Sequence, residues 1–353
     1  MMKKPEKLQK GDTIAIVSPS SGLAGEPNIQ WRTQQGIENI KNLGYRVKVM
    51  EQALNTIEWN YNHPKERAET LTSAFKDPEV KAILCTIGGK ESARIIPYLD
   101  DEIIQAHPKI FIGYSDITPL HLHLNQLGII SFYGPALLTD FAENVALDDY
   151  TLDHMFDVVS KAEPFGKLVT SDYVRIFGLK WDEENKNIAR ETKKNESYIL
   201  VNGEGNVSGE LIGGCFESLD HLRGSQYFPK LEQFDGKILF LENAEVNIEP
   251  WAFEFTFRSF GYMGIFDRIK GIVLGRPQNG IYQNEYHQII QSILKEFQQE
   301  DLPVIGNASF GHNEPKCTIP YGVKASISTS PLTFSIDEAA VSEKEAREKR
   351  QKE

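Results

Sequence analysis

A repeated unit in the first part of the chain constrains its fold most: a short apolar run, a turn of small residues, then a segment with helical spacing. Thr13–Val17 (TIAIV) closes on Ser18-Pro19-Ser20-Ser21-Gly22, and Gln30–Leu43 follows as an amphipathic helix ended by Gly44. Tyr45–Val49 reads as the next strand, and His63-Pro64 opens a helix with proline in its first turn. Val80–Ile87 (VKAILCTI) is continuously apolar, as strands buried on both faces are, and it runs into Gly88-Gly89 and the helical pattern ESARIIPYL. Lys109–Gly113 repeats strand, turn and helix, and Ile129–Tyr133 is a further strand. Such alternation predicts an α/β fold: a parallel, Rossmann-like or flavodoxin-like sheet with helices on its faces.

With 353 residues the chain exceeds what one compact core usually holds, so a second domain is expected. Beyond Asp140 short strands (Tyr198–Val201, Lys237–Leu241, Ile269–Leu274, Thr333–Ile336) mix with helices near Trp251–Tyr262 and Glu285–Gln299. The expected division is 1–165 as an N-terminal α/β domain, 166–206 as linker and active-site loop, 207–340 as a mixed, β-rich C-terminal domain, and 341–353 as a polar tail. Trp181 to Glu196 is charged and aperiodic, and reads as a loop that orders only with a partner or ligand.

The net charge of -12 leaves no basic surplus to neutralise phosphates, which argues against a nucleic-acid polymer or an anionic membrane as main partner. Cys85, Cys215 and Cys317 are far apart and form no CxxC pair, so neither a disulfide framework nor a zinc knuckle is indicated. The N-terminus lacks the apolar core of a signal peptide and no run has the length of a membrane span, which together suggest a cytoplasmic protein.

Reactive groups in an open parallel sheet collect beyond the carboxyl ends of its strands. Gly113-Tyr114-Ser115-Asp116 resembles a nucleophile elbow, although its fifth position is Ile117 rather than glycine. Ser115 therefore has two readings, a nucleophile or the N-cap of the helix that Pro119 helps to start. Gly88-Gly89 likewise suits either an oxyanion hole or a phosphate turn, but lacks the full GxGxxG spacing. A serine nucleophile needs a base and an orienting group. His312, in a small-residue turn after the apolar strand PVIGN, and Glu242, directly after KILFL, are placed to serve. His121 and His123 lie two apart on a helix and make a poor metal pair.

In the order GYSDIT, LFLENAE and SFGHNEP, the chain resembles the LD-carboxypeptidase family of serine peptidases, and more closely its MccF-like, microcin C self-immunity branch. The likeness extends to GDTIAIVSPSSG, IGGKESARIIPYLD, SFYGPALL, LIGG and GHNEPKCTIPYGV. It implies an active site in a cleft between two domains. Ser115 would be the nucleophile, His312 the general base, Glu242 the group that orients it, and the backbone N–H groups of Gly89 and Asp116 the oxyanion hole. Gly88, Trp181 and Cys215 would contact substrate, with Trp181 as a platform for a nucleobase. The resemblance implies amide hydrolysis of a small peptide or peptidyl-nucleotide substrate, or release of D-alanine from muropeptides. It also implies a homodimer, without metal or cofactor. Where the family has asparagine after Gly213-Gly214, this chain has Cys215.

Overall fold

The structure is a computed structural model and describes residues 2–343. The polar tail expected at 341–353 falls largely outside them. Val341 is buried, and Ser342 is fixed by backbone hydrogen bonds to Pro5 and Lys7, so the start of that segment belongs to the fold.

A six-stranded sheet carries the first part of the chain. Across it run Ile319–Pro320, Phe132–Tyr133, Ile110–Gly113, Val80–Cys85, Thr13–Val17 and Arg46–Val49. All are parallel except the short strand Ile319–Pro320, which arrives from far along the chain and pairs antiparallel with Phe132–Tyr133. The five parallel strands have the flavodoxin-like order. Thr13–Val17 and Ile110–Gly113 are buried throughout, as a sheet covered on both faces requires. The ESARIIPYL segment forms a 3₁₀ helix, Ser92–Tyr98, rather than the expected α-helix. Pro97 lies within it and brings no N–H for an i→i−4 bond.

The second sheet has eight strands, in the order Gly166–Leu168, Leu332–Ile336, Lys324–Thr329, Asn206–Cys215, Ile238–Glu242, Gly271–Gly275, Val304–Ala308 and Ile199–Asn202. The four strands from Asn206–Cys215 to Val304–Ala308 are parallel and those on either side pair antiparallel, which gives the mixed, β-rich character expected. Both edge strands, Gly166–Leu168 and Ile199–Asn202, come from the segment read as linker.

The segment from Trp181 to Glu196 is anchored by contacts to other parts of the chain. Tyr173–Arg175 and Thr192–Lys194 form a small hairpin, and Glu183–Asn185 a single turn. Asn144 donates through Nδ2 to the Asn185 and Ile188 carbonyls at 2.9 and 3.2 Å, and Arg190 pairs with the buried Glu143. The long polar run hid these anchors, because their partners lie elsewhere in the chain.

The two long central strands of the second sheet pack at Gly213, whose φ is +150°. A Cβ there would lie 1.8 Å from the Phe240 carbonyl oxygen. Gly213→Ala should destabilise the protein by about 3 kcal/mol, the upper range for an overpacked core with added backbone strain. The shift of its chemical-denaturation midpoint measures this.

Candidate active site

Three loops from the carboxyl ends of the first sheet meet two from the second. After Thr13–Val17 comes Ser18–Gly22, after Val80–Cys85 comes Ile87–Lys90, and after Ile110–Gly113 comes the turn with Ser115. The second sheet delivers Cys215 and Glu242 at the ends of adjacent parallel strands, directly opposite each other in register. His312 follows the strand Val304–Ala308. Between them lies a cleft of about 780 Å³.

Ser115 adopts φ +63°, in the left-handed region that favours glycine, while Tyr114 before it is extended. Such strain in a serine at a strand-to-helix turn is the property of a nucleophile elbow. The N-cap reading of Ser115 fails: its side chain makes no capping bond, and its Oγ lies 2.9 Å from His312 Nε2. On the other side of the ring, His312 Nδ1 donates to Glu242 Oε2 at 2.8 Å, and the backbone N–H of His312 reaches the same oxygen at 3.0 Å. The structure therefore brings Ser115, His312 and Glu242 into one hydrogen-bonded line.

Asp116 turns its carboxylate inward, where it accepts from Ser20 Oγ at 2.6 Å and from the Ser92 N–H at 2.9 Å. Burial pushes this carboxyl up, against the hydrogen bonds that hold it. It ties the elbow to the loops after Thr13–Val17 and Val80–Cys85. Gly88 lies against the serine: a Cβ at Gly88 would be 2.7 Å from Ser115 Cβ, 2.9 Å from its Oγ and 3.2 Å from the Asp116 nitrogen. Gly89 has φ +146° and is packed on Ser20 and Ser21.

Cys215 lines the cleft, with its thiol donating to Glu217 Oε2 at 3.3 Å and its N–H to Thr118 Oγ1 at 3.0 Å. Burial first, and then the Glu217 and Glu242 carboxylates, push the thiol well above its ordinary range, which disfavours a thiolate nucleophile. Cys215 Sγ, a Glu242 oxygen and a His312 nitrogen all fall within 4.8 Å of one another, a donor set a transition metal can use. Here the carboxylate and imidazole are engaged with each other. Trp181 also lines the cleft, its ring 4.3 Å from the Arg32 guanidinium carbon and packed against the cluster of Ala24, Ile29 and Leu138. His121 is buried between Ser131 Oγ and the Gly113 carbonyl, and burial pushes it down to about 3, so it is a neutral spacer behind the elbow.

Four contributors were not singled out from the sequence. The Tyr133 hydroxyl accepts the Ser115 N–H at 3.0 Å and donates to Glu242 Oε1. It belongs to SFYGPALL, whose likeness to the family was the available signal. Arg32 lies in a stretch with no motif, whereas Glu245 closes LFLENAE, the motif that supplied Glu242. Lys316 is fully buried, pairs with Asp140 at 3.0 Å and Glu314 at 3.2 Å, and lies 3.9 Å from the Tyr114 ring centroid.

A serine strained at the end of a parallel strand, a histidine on its hydroxyl and a carboxylate behind that histidine make up the arrangement of a hydrolase site. Comparison with known proteins gives the family. Residues 14–134 match the LD-carboxypeptidase N-terminal domain and residues 208–327 the C-terminal domain. YocD of Bacillus subtilis is 33% identical over 90% of this chain and 93% of its own length. An MccF-like protein from Streptococcus pneumoniae, solved in complex with AMP, superposes with a TM-score of 0.85 at 30% identity, covering 93% of this chain and 99% of that one. The microcin C7 self-immunity protein MccF of Escherichia coli is 28% identical over 95% of this chain and 96% of its own length. MccF has been solved with aspartyl sulfamoyl adenosine, at a TM-score of 0.84 and 27% identity, covering 96% of this chain and 100% of that one. The chain belongs to the LD-carboxypeptidase family, in its MccF-like branch.

Gly88→Ala should lower turnover on the order of 10²-fold, because the new methyl displaces the Ser115 hydroxyl from its partner. Unchanged turnover alongside an unchanged thermal midpoint would show that the close approach is unimportant.

Proposed function

We propose that the chain is a serine-type carboxypeptidase or amidase that cleaves an aminoacyl- or peptidyl-nucleotide conjugate through an acyl-enzyme. The observation that carries this is the continuous line from Ser115 Oγ through His312 to Glu242. In the first step Ser115 Oγ attacks the amide carbonyl while His312 Nε2 takes its proton. The imidazolium is held in orientation by Glu242 and then protonates the leaving nitrogen. Water, activated by His312, hydrolyses the acyl-serine. The backbone N–H groups of Gly89 and Asp116 receive the oxyanion, each donor contributing ~3 kcal/mol to the transition state.

The nucleotide half of the substrate is assigned to the wall formed by Trp181, Arg32 and Lys180. An indole face and nearby cations suit a nucleobase and an anionic linker. MccF solved with aspartyl sulfamoyl adenosine, and the relative solved with AMP, support this class of substrate. Cys215 replaces an amide with a weakly polar thiol on the acyl side, so selection there differs from relatives that carry asparagine. Among the described residues no helix is long and apolar enough to cross a membrane. The three free, buried thiols fit a reducing compartment, in keeping with a cytoplasmic setting. A homodimer remains part of the proposal; the exposed Trp251, Phe255 and Tyr262 of helix Pro250–Tyr262 offer an apolar face for it, and light scattering should give twice the chain mass.

Offered an aspartyl-adenylate mimic and a muropeptide tetrapeptide side by side, the protein should cleave the nucleotide conjugate. Ser115→Ala should abolish that product in the mass spectrum, and EDTA should leave it unchanged. Release of D-alanine alone would make the enzyme a wall peptidase instead. The base must be neutral to act, and His312 is held above its ordinary range, so kcat/KM should rise with pH along a limb above the usual ~6.5. A limb at or below that value would contradict the assignment of His312.

A further inference from the structure

Glu245 follows three residues after Glu242, on the turn beyond its strand, and its side chain is 51% exposed. Its Oε2 lies 3.0 Å from His312 Nε2, the nitrogen that also faces Ser115 Oγ at 2.9 Å. One imidazole nitrogen thus has two claimants. A serine hydroxyl donates to the neutral ring, whereas a carboxylate pairs with the protonated one. With Glu242 already on Nδ1, a second carboxylate on Nε2 favours the cation, and a ring so held cannot accept the serine's proton. Burial alone would push His312 down, but Glu242 and Glu245 outweigh it and raise it to about 10. The same contact, opposed by burial, draws Glu245 down to about 2, with a further contribution from Lys90 across the cleft.

The surroundings of Glu245 offer it no other partner. Its stretch of wall comprises Cys215, Glu217, Ala244, Val246 and Ile248, and among the described residues no lysine or arginine forms an ion pair with it. Glu217 is engaged with the Ala244 N–H at 2.9 Å and with the Cys215 thiol. Arg32, Lys180 and Arg190 line the cleft from other elements, those of the Trp181 wall. Cations thus gather by the indole and carboxylates by His312, with Lys90 the cation that faces Glu245 from across the cleft. An α-ammonium is two bonds from the carbonyl carbon under attack, close enough to reach a carboxylate that touches the base.

We propose that Glu245 is a specificity-determining residue that takes a cationic group beside the scissile amide, the free α-ammonium of an aminoacyl residue, and by doing so leaves His312 Nε2 to Ser115. This rests on the nucleotide-conjugate reading above and deepens it. The unliganded enzyme holds its base protonated between two carboxylates. The correct substrate supplies the cation that draws one of them away. An acyl group with a blocked amine leaves Glu245 on His312, so selection acts on the base as well as on binding.

Calorimetry on Ser115→Ala tests it, with two ligands: aminoacyl sulfamoyl adenosine bearing a free α-amine, and its N-acetyl derivative. The free amine should bind about 10- to 100-fold more tightly, the scale of a hydrogen bond between charged groups. Adding Glu245→Gln should erase the preference. Equal binding of both ligands to Ser115→Ala would overturn the role of Glu245 while leaving the substrate class intact. Binding of neither would overturn the substrate class, and this assignment with it. A second readout needs no substrate: the ¹⁵N NMR titration of His312 in the ligand-free enzyme. The groups facing that ring are Glu242, Glu245, the Tyr114 ring and, across the cleft, Lys90. Glu245→Gln should move the titration to lower pH, and an unmoved titration would also overturn the proposal.

Discussion

The carboxylate of Glu242 is the contact on which the site depends, because it joins the two sheets. It ends a central strand of the second sheet, and one oxygen receives the hydroxyl of Tyr133 from the first. The other receives both the Nδ1–H and the backbone N–H of His312. Tyr133 in turn accepts the N–H of Ser115, so one buried carboxylate sets the positions of Ser115 and His312 together. A carboxylate in that position would be costly without donors, and here each oxygen has at least one. Packing leaves no slack around it: a Cβ at Gly311 would lie 2.4 Å from the Glu242 side chain.

A second layer of charge seats the turn that carries His312. Lys316 lies buried between Asp140 and Glu314, while Arg190 reaches Glu314 and Glu143 from the loop that bears Trp181. Arg175 and Asp148 extend the set with a pair at 2.7 Å. Buried ion pairs of this kind add little net stability, but removing one partner leaves an uncompensated charge. The network therefore fixes geometry more than it stabilises, coupling the Trp181 loop to the His312 turn. Loop and base are positioned by the same residues.

Much of this was legible in the sequence, for identifiable reasons. The parallel strands announce themselves as continuous apolar runs, and the turns after them by Gly, Ser and Pro. Ser115 and Gly88-Gly89 could thus be placed at strand ends, and Glu242 and His312 found in the second half of the chain. Nothing local shows that Glu242 and His312 meet, because their contact spans 70 residues and needs two parallel strands that flank a third, Gly271–Gly275. The anchors of the Trp181 loop are hidden for the same reason: composition reports its polarity but not Asn144, Glu143 or Glu314, which hold it. Glu245 lies in LFLENAE, but the motif drew attention to Glu242, and a half-exposed glutamate on a turn matches ordinary surface chemistry until its distance to His312 is known.

The central claim is that Ser115 is a nucleophile activated by His312. Labelling with a fluorophosphonate probe, followed by intact-protein and peptide mass spectrometry, tests it most directly. The account predicts one adduct per chain, mapped to Ser115, and its loss in His312→Ala. An adduct at Cys215, or labelling of Ser115 that persists without His312, would contradict it.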